Sequence, residues 1–344
     1  MRTIKLGNVV VGDGKPVFVV AEIGYNFNTL EEAKASIAAA VECGVSAVKF
    51  QTFRAETITS RFTDFPAEAG GTNQFEEFGR YEMSEETHQE LFDYARKRGI
   101  LAFSTPSYFD DVDLLERLGA PVYKIGSDDL TNLPFLKYIA EKGKPVIFST
   151  GMSTLGEVAE AFDTILSTGN DQIVILHCVS NYPVTDFSVV NLNAILTLRH
   201  AFPVPIGFSD HTTTISAALG AVALGASLIE RHFTIDKKLD VPDAPFSADP
   251  AEMAALVRGI RELERALGDG GKCPAPSEQA MRWATRKSTI ARMDIQPGEM
   301  ITQDKIIVKR PGTGVPPKLC HLVIGRRANC VIKADEVITW EKLE

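Results

Sequence analysis

Eight short runs of valine, isoleucine, leucine and phenylalanine recur along the first two thirds of the chain, with helical stretches between them. They span 17–23 (VFVVAEI), 47–51 (AVKFQ), 101–105 (LAFST), 122–127 (VYKIGS), 145–150 (PVIFST), 172–178 (QIVILHC), 205–210 (PIGFSD) and 228–233 (LIERHF). Most are nearly continuous in apolar residues, as strands of a parallel sheet are when covered on both faces. Between them, Thr29 with Glu32 and Thr154 with Glu157 have the spacing of a capping box. Apolar residues at 30, 33, 37, 40 and 41 make one helix face, and Gly44 is placed to end it. Eight alternating strand–helix units predict an α/β fold closed into a (β/α)8 TIM barrel of about 250 residues. An open doubly wound sheet is the alternative, but no GxGxxG follows the first strand.

The stretch GDGGKCPAPSEQA (268–280) breaks this rhythm with Gly, Pro and small polar residues. It predicts a barrel domain over 1–280, a linker region over 268–284 and a small β-rich domain over 285–344. In that last domain STIARMDI, IIVKRP and VITWEKL read as short strands, and QPGE as a turn. So short a segment has a thin core and is expected to pack on another surface. At the other end, TIKLGNVVVGDGKP reads as a hairpin plugging the barrel bottom. No run of about 18 apolar residues predicts a membrane span, and the N-terminus lacks the apolar core of a signal peptide. A net charge of −9 with interspersed signs argues against bulk nucleic-acid binding. Five cysteines, Cys43, Cys178, Cys273, Cys320 and Cys330, form no CxxC pair, so a reduced, cytoplasmic compartment is expected.

In such barrels the C-terminal strand ends build the active site. Here those ends carry Glu22, Lys49, Gln51, Ser104, Thr105, Lys124, Ser127, Ser149, Thr150, His177, Ser180, Ser209, His211, Glu230 and His232. Lys49 and Lys124 lie inside apolar strands, where a lysine is rare unless paired. One reading is a structural ion pair with Glu22 or Glu230. The other is a doubly basic pocket for a phosphorylated or carboxylated substrate, completed by the hydroxyls of Thr105, Ser127, Ser149 and Ser209. A single lysine could form a Schiff base; two lysines among hydroxyls favour anion binding. His211 and His232 end the adjacent seventh and eighth strands and can share an open divalent-metal site, with Asp210 as an orienting group. His177 reads equally as a third ligand, an acid–base group or a core residue. Cys178 reads as packing, and His88, His200 and His321 carry no chemical signal.

Taken together, AEIGYNFN, VKFQTF, FSTP, YKIGSDDLTNLP, FSTGMSTLGE, LHCVSNYP, GFSDHT, ERHFTIDKKLDVPD and VKRPGTGV span nearly the whole chain in order. In these stretches the chain resembles the sialic acid synthase family, enzymes that condense phosphoenolpyruvate with an amino sugar to form nonulosonates. The resemblance implies a barrel followed by an antifreeze-like (SAF) domain. It also implies a homodimer whose small domains are swapped between barrels. It implies that His211 and His232 bind the metal, Mn²⁺ first, with Mg²⁺ or Co²⁺ as alternatives. Lys49, Lys124, Thr105, Ser127, Ser149, Ser180 and Ser209 match positions lining the phosphoenolpyruvate site. Glu22, Gln51, Tyr182 and Asp243 match positions near the open-chain N-acyl hexosamine, with Glu22 or Asp243 moving protons. Asp129 stands where a Glu is common, and Arg310 matches an arginine that reaches the partner's sugar. In the implied reaction the metal polarises the sugar aldehyde, the enol carbon attacks it, water adds, and phosphate leaves.

Three departures stand out. Asn26-Phe27-Asn28-Thr29 replaces a common Asn-His-Asn-Gly, Val241-Pro242-Asp243-Ala244 replaces Gly-Pro-Asp-His, and Ser107 replaces a Phe. All three fall on the sugar side, so they argue against plain N-acetylmannosamine as the acceptor and point to a 2,4-diacetamido-trideoxyhexose, giving a legionaminic- or pseudaminic-type acid, or to a spore-coat-type sugar. Two other readings are another metal-dependent barrel aldolase or 3-deoxy-sugar-acid synthase, and a non-catalytic carbohydrate-binding barrel.

Overall fold

The computed structural model describes residues 2–66 and 71–344. The chain divides into two compact units, Met1–Gly268 and Asp269–Glu344. The first opens with an antiparallel hairpin of β1 (Thr3–Leu6) and β2 (Val9–Gly12). Eight parallel strands follow: β3 (Phe18–Gly24), β4 (Ala47–Thr52), β5 (Leu101–Pro106), β6 (Tyr123–Ile125), β7 (Val146–Ser149), β8 (Ile173–Cys178), β9 (Ile206–Asp210) and β10 (Leu228–His232). They pair in order, and β10 pairs with β3, so the sheet closes into a barrel. The eight predicted runs all coincide with these strands.

Helices cover the outside. α1 (Leu30–Glu42) follows β3; α2 (Ala55–Ile58), α3 (Gln74–Arg80) and α4 (Glu85–Lys97) lie between β4 and β5. Then come α5 (Phe109–Arg117), α6 (Leu133–Ala140), α7 (Leu155–Leu166), α8 (Asn193–Ala201), α9 (Ser216–Ala223) and α10 (Pro250–Leu267). Both predicted capping boxes are present, at Thr29 with Glu32 and at Thr154 with Glu157. Each satisfies two backbone donors that a helix start leaves open. Outward strand residues such as Val19, Ile23, Val48 and Ile175 form a large core with the apolar helix faces.

The interior fills in layers, because residues two apart along a strand face the same side. Phe18, Val20, Ala47, Phe103, Val122, Ile147, Val174, Leu176 and Leu228 form one apolar interior cluster. Leu6 and Val11 of the hairpin are fully buried in that cluster, so the hairpin seals the barrel floor as predicted.

The second unit begins with α11 (Gln279–Thr285) and pairs β11 (Ser288–Ala291) with β12 (Ile306–Lys309) antiparallel. Its small core gathers Ala291, Ile295, Ile301, Val315, Val323, Ala328, Ile332 and Ile338. The expected third strand, VITWEKL, does not form. Val337 bridges Ile290 and Leu343 bridges Ala328, with a single 3₁₀ turn at Trp340–Lys342 between them. Its apolar residues reach the core one at a time from different loops, which imitates strand alternation in the sequence. Among the described residues, no helix is long and apolar enough to cross a membrane.

Candidate active site

The active-site side chains follow from the layering. Two residues beyond each apolar interior position the strands carry Glu22, Lys49, Thr105, Lys124, Ser149, Cys178, Ser209 and Glu230. This polar ring is the inward-facing layer immediately above the sealed floor. Lys49 Nζ lies 2.8 Å from Glu22 Oε2 and 3.9 Å from Glu230 Oε1, and donates to Thr105 Oγ1 at 3.1 Å. Lys124 Nζ donates to Ser149 Oγ at 2.7 Å and to the Ile125 carbonyl at 2.9 Å, with Glu230 Oε1 at 3.8 Å. Ser209 Oγ donates to Glu230 Oε1 at 3.3 Å, and Gln51 Nε2 to Glu22 Oε1 at 2.9 Å. The ion-pair reading of Lys49 is therefore met, and the pair lines the barrel interior.

Electrostatics separates the two lysines. Burial works against the charge of Lys49, but Glu22 and Glu230 overcome it and raise its pKa. Burial pushes Lys124 below the ordinary lysine value, and the nearby Lys49 ammonium adds to this against the pull of Glu230. Glu230 is the hub of the ring, within 4 Å of both ammonium groups. The sequence offered it as a pairing partner and gave it no chemical role; its position two residues before His232 was the available signal.

Above the ring, the strand ends form a hydroxyl cradle. Ser127 Oγ accepts from the Gly151 N–H at 3.0 Å. A Cβ at Gly151 would come within 2.1 Å of Ser180 Oγ and 2.8 Å of Ser127 Oγ, so only glycine leaves this space open. Ser180 Oγ is buried without a hydrogen-bond partner, as are Glu230 Oε2 and His232 Nδ1. Native interiors satisfy nearly all such atoms, so those at the strand ends are candidate contacts for a ligand or water.

The two histidines come together. The His211 and His232 rings are 5.3 Å apart between centroids. His211 Nδ1 faces the Val179 carbonyl at 2.9 Å. A carbonyl only accepts, so that nitrogen carries a proton, which leaves Nε2 as the atom that could ligate. His232 Nδ1 sits 3.3 Å from Asp243 Oδ2, close but not aligned as a hydrogen bond. The Tyr182 ring packs 4.2 Å from His211 and 5.8 Å from His232. Among the described residues, no three or more His, Cys, Asp or Glu side chains are grouped to hold a metal ion. A pair of imidazoles suits a divalent ion whose other positions are taken by water or substrate oxygens.

Other expected residues stand apart. Asp210 does not orient His211. It points outward, accepts from Arg231 Nη1 at 2.5 Å and from the Thr212 N–H at 2.9 Å, while the Val179 carbonyl holds the imidazole. Arg231, opposite Asp210 in the β9–β10 register, also donates to the carbonyls of Thr212 and Thr214, each at 2.9 Å. Ser104 also faces out, in a buried chain of Ser104, Thr52 and His88. Thr150 Oγ1 is spent on the Leu176 carbonyl. His177 donates to the Val190 carbonyl at 2.7 Å and stacks on Phe208, a packed histidine that burial keeps neutral. Asp129 accepts from Asn132, and burial, aided by Asp128, pushes its pKa to about 6. Arg310 belongs to the second unit, where it is exposed and makes no hydrogen bond or ion pair among the described residues.

Comparison with known proteins gives two domain matches, the NeuB family over residues 36–272 and the SAF domain over 286–344. The N,N'-diacetyllegionaminic acid synthase of Legionella pneumophila is 40% identical over 97% of this chain and 96% of its own length. The N-acetylneuraminate-9-phosphate synthase of Homo sapiens is 35% identical over 97% of this chain and 94% of its own. A crystal structure of N-acetylneuraminic acid (sialic acid) synthetase from Leptospira borgpetersenii serovar Hardjo-bovis matches with a TM-score of 0.73 at 34% identity. That match covers 81% of this chain and 95% of the other.

Proposed function

This chain belongs to the NeuB family, and on that premise we propose that it condenses phosphoenolpyruvate with an open-chain N-acylated hexosamine. The products would be a nine-carbon 2-keto acid and phosphate. The observation that carries this reading is the lysine–carboxylate ring beneath a hydroxyl cradle with an orphaned Ser180 Oγ. Lys49 and Lys124 would hold the carboxylate and phosphate of the enol ester, with Thr105, Ser127, Ser149, Ser180 and Ser209 donating to its oxygens.

C3 of the enol would then attack the sugar aldehyde carbon, and the new alkoxide would receive, relayed by Glu22 or Asp243, the proton given up by the water that adds at C2. Positive character would grow at C2 as the double bond is consumed, and the carboxylates of Glu22 and Glu230, both buried beside Lys49, would stabilise it. Water adds at C2 and loses a proton, and C–O cleavage releases phosphate and leaves the ketone. Holding both reactants in one barrel mouth could supply about 7–11 kcal/mol of the barrier reduction. His211 and His232 fit a divalent cation, Mn²⁺ first with Mg²⁺ or Co²⁺ as alternatives. When bound, it would supply Lewis acidity at the sugar carbonyl. Gln51 and Tyr182 would line the sugar side.

Phosphate release from phosphoenolpyruvate should require both a divalent metal and an acylated hexosamine. No release across a panel of acylated mannosamines and their 4-amino relatives would overturn the reading. The proposed assembly is a homodimer in which Arg310 of each chain serves the partner's barrel. Mixing inactive His232→Ala chains with inactive Arg310→Ala chains should restore activity, since one composite site is then whole; properly mixed dimers without recovery would refute the sharing.

A further inference from the structure

The loop between β10 and α10 (residues 233–249) carries Asp243 to the barrel mouth. It leaves its strand and returns to it. The Ala248 N–H donates to the His232 carbonyl at 2.8 Å, and the Thr234 N–H to the Ala248 carbonyl at 3.0 Å. Between these ends the loop sets the Phe246 ring 5.4 Å from His232 and 5.8 Å from Tyr182. It also sets Asp243 Oδ2 3.3 Å from His232 Nδ1. Among the described residues the Asp243 carboxylate accepts no hydrogen bond, so its backbone fixes where it stands.

That backbone is held from a neighbouring loop. Asn26, two residues beyond the end of β3, is fully buried. Its Nδ2 donates to the Phe233 carbonyl at 3.3 Å, where the loop departs, and to Ser247 Oγ at 3.1 Å, where it returns. Ser247 is also fully buried and extends the contact: its Oγ donates to the Asp243 carbonyl at 2.7 Å. The Ser247 and Phe246 N–H groups donate to the same carbonyl, at 3.0 and 3.3 Å. Three donors therefore converge on the peptide oxygen of Asp243. Asn26 Oδ1, by contrast, is buried without a partner. An unmatched acceptor lowers stability, so packing alone does not account for an asparagine here. Its two donors do.

We infer that Asn26 and Ser247 are positioning residues, which act through the Asp243 backbone to hold that carboxylate at the mouth. The inference rests on the place given to Asp243 in the reaction proposed above. With no exposed surface, neither Asn26 nor Ser247 touches a reactant. Their effect is on alignment, where a displacement of about 1 Å at a reacting group can cost about 10²-fold in rate.

The test is a double-mutant cycle on kcat in the full-length, metal-supplied enzyme, with phosphoenolpyruvate and whichever acylated hexosamine turns over fastest. Ser247→Ala removes one hydroxyl; Asn26→Leu keeps the side-chain size and removes both donors. Thermal melting checks that each folds. Each should lower kcat about ten- to a hundredfold and leave KM for phosphoenolpyruvate within about twofold. In an Asp243→Asn background the same changes should lower kcat no further, because the group they align is already gone. An equal loss in both backgrounds, or a matching rise in KM for phosphoenolpyruvate, overturns the inference. Hydrogen exchange reads the clamp without turnover. The Phe246 and Ser247 amides should exchange about tenfold faster in Ser247→Ala than in wild type, and unchanged exchange also overturns it. No turnover with any sugar in the wild type would bring down the proposed condensation and this role with it; an active wild type with an additive cycle brings down the role alone.

Discussion

Two sets of polar side chains share one level of the barrel, back to back across its wall. The outward set is closed: Asp210 holds Arg231, Thr52 joins His88 to Ser104, and Thr150 donates to a strand carbonyl. Apart from Arg231 Nε, these polar atoms find their partners within the chain. The inward set is unfinished, with Ser180 Oγ, Glu230 Oε2 and His232 Nδ1 buried and unmatched. Burial of polar groups on its own therefore does not distinguish a site from a strut. Completeness separates them better: Arg231 Nε aside, folding finishes the outward set, while the inward set keeps buried atoms for water or a ligand to satisfy.

The sharpest way to break this contrast is Asp210→Ala. It strands a buried guanidinium, and the free energy of unfolding in urea should fall by about 3–5 kcal/mol. Next is Lys124→Met on the inner face. Here kcat/KM should fall by about 10²–10³-fold, while the urea midpoint moves far less than for Asp210→Ala. Ser180→Ala makes the distinction finer. Removing an orphaned hydroxyl should leave the melting temperature unchanged and weaken phosphoenolpyruvate binding about tenfold by calorimetry. A drop in stability comparable to that of Asp210→Ala would erase the contrast.

The smallest effect concerns Asp129 at the mouth, where burial lifts the carboxyl from 3.8 to about 6. Between those values the folded chain keeps a proton that the unfolded chain has released. This group's contribution to stability therefore falls as pH rises through that window. Asp129→Asn has no such proton, so its melting temperature relative to wild type should climb from pH 4 to 6; a flat difference would refute the raised value.

The barrel was readable because each strand is a local apolar run and each helix start announces its cap. The inward ring was readable too, since Lys49 and Lys124 interrupt those runs. Ser104, Thr150 and Asp210 show what was overlooked. Each is adjacent to an inward residue, Thr105, Ser149 or His211, so period-two alternation alone turns it outward. The pairing of Asp210 with Arg231 needed more than alternation. It depends on the register between β9 and β10, which no single strand encodes. The importance of Glu230 was hidden for a similar reason, because its two ammonium neighbours come from strands 181 and 106 residues earlier (230 − 49 and 230 − 124).

The hairpin under the barrel has a kinetic corollary. With Leu6 and Val11 stoppering the lower end, the lumen is a cul-de-sac, and traffic can pass through one doorway alone. On the proposed chemistry, the enol ester settles at the lysines and the sugar stands nearer the threshold, beneath the imidazoles. The two must then queue: whatever lodges deepest has to arrive first, and a sugar already seated would bar its path.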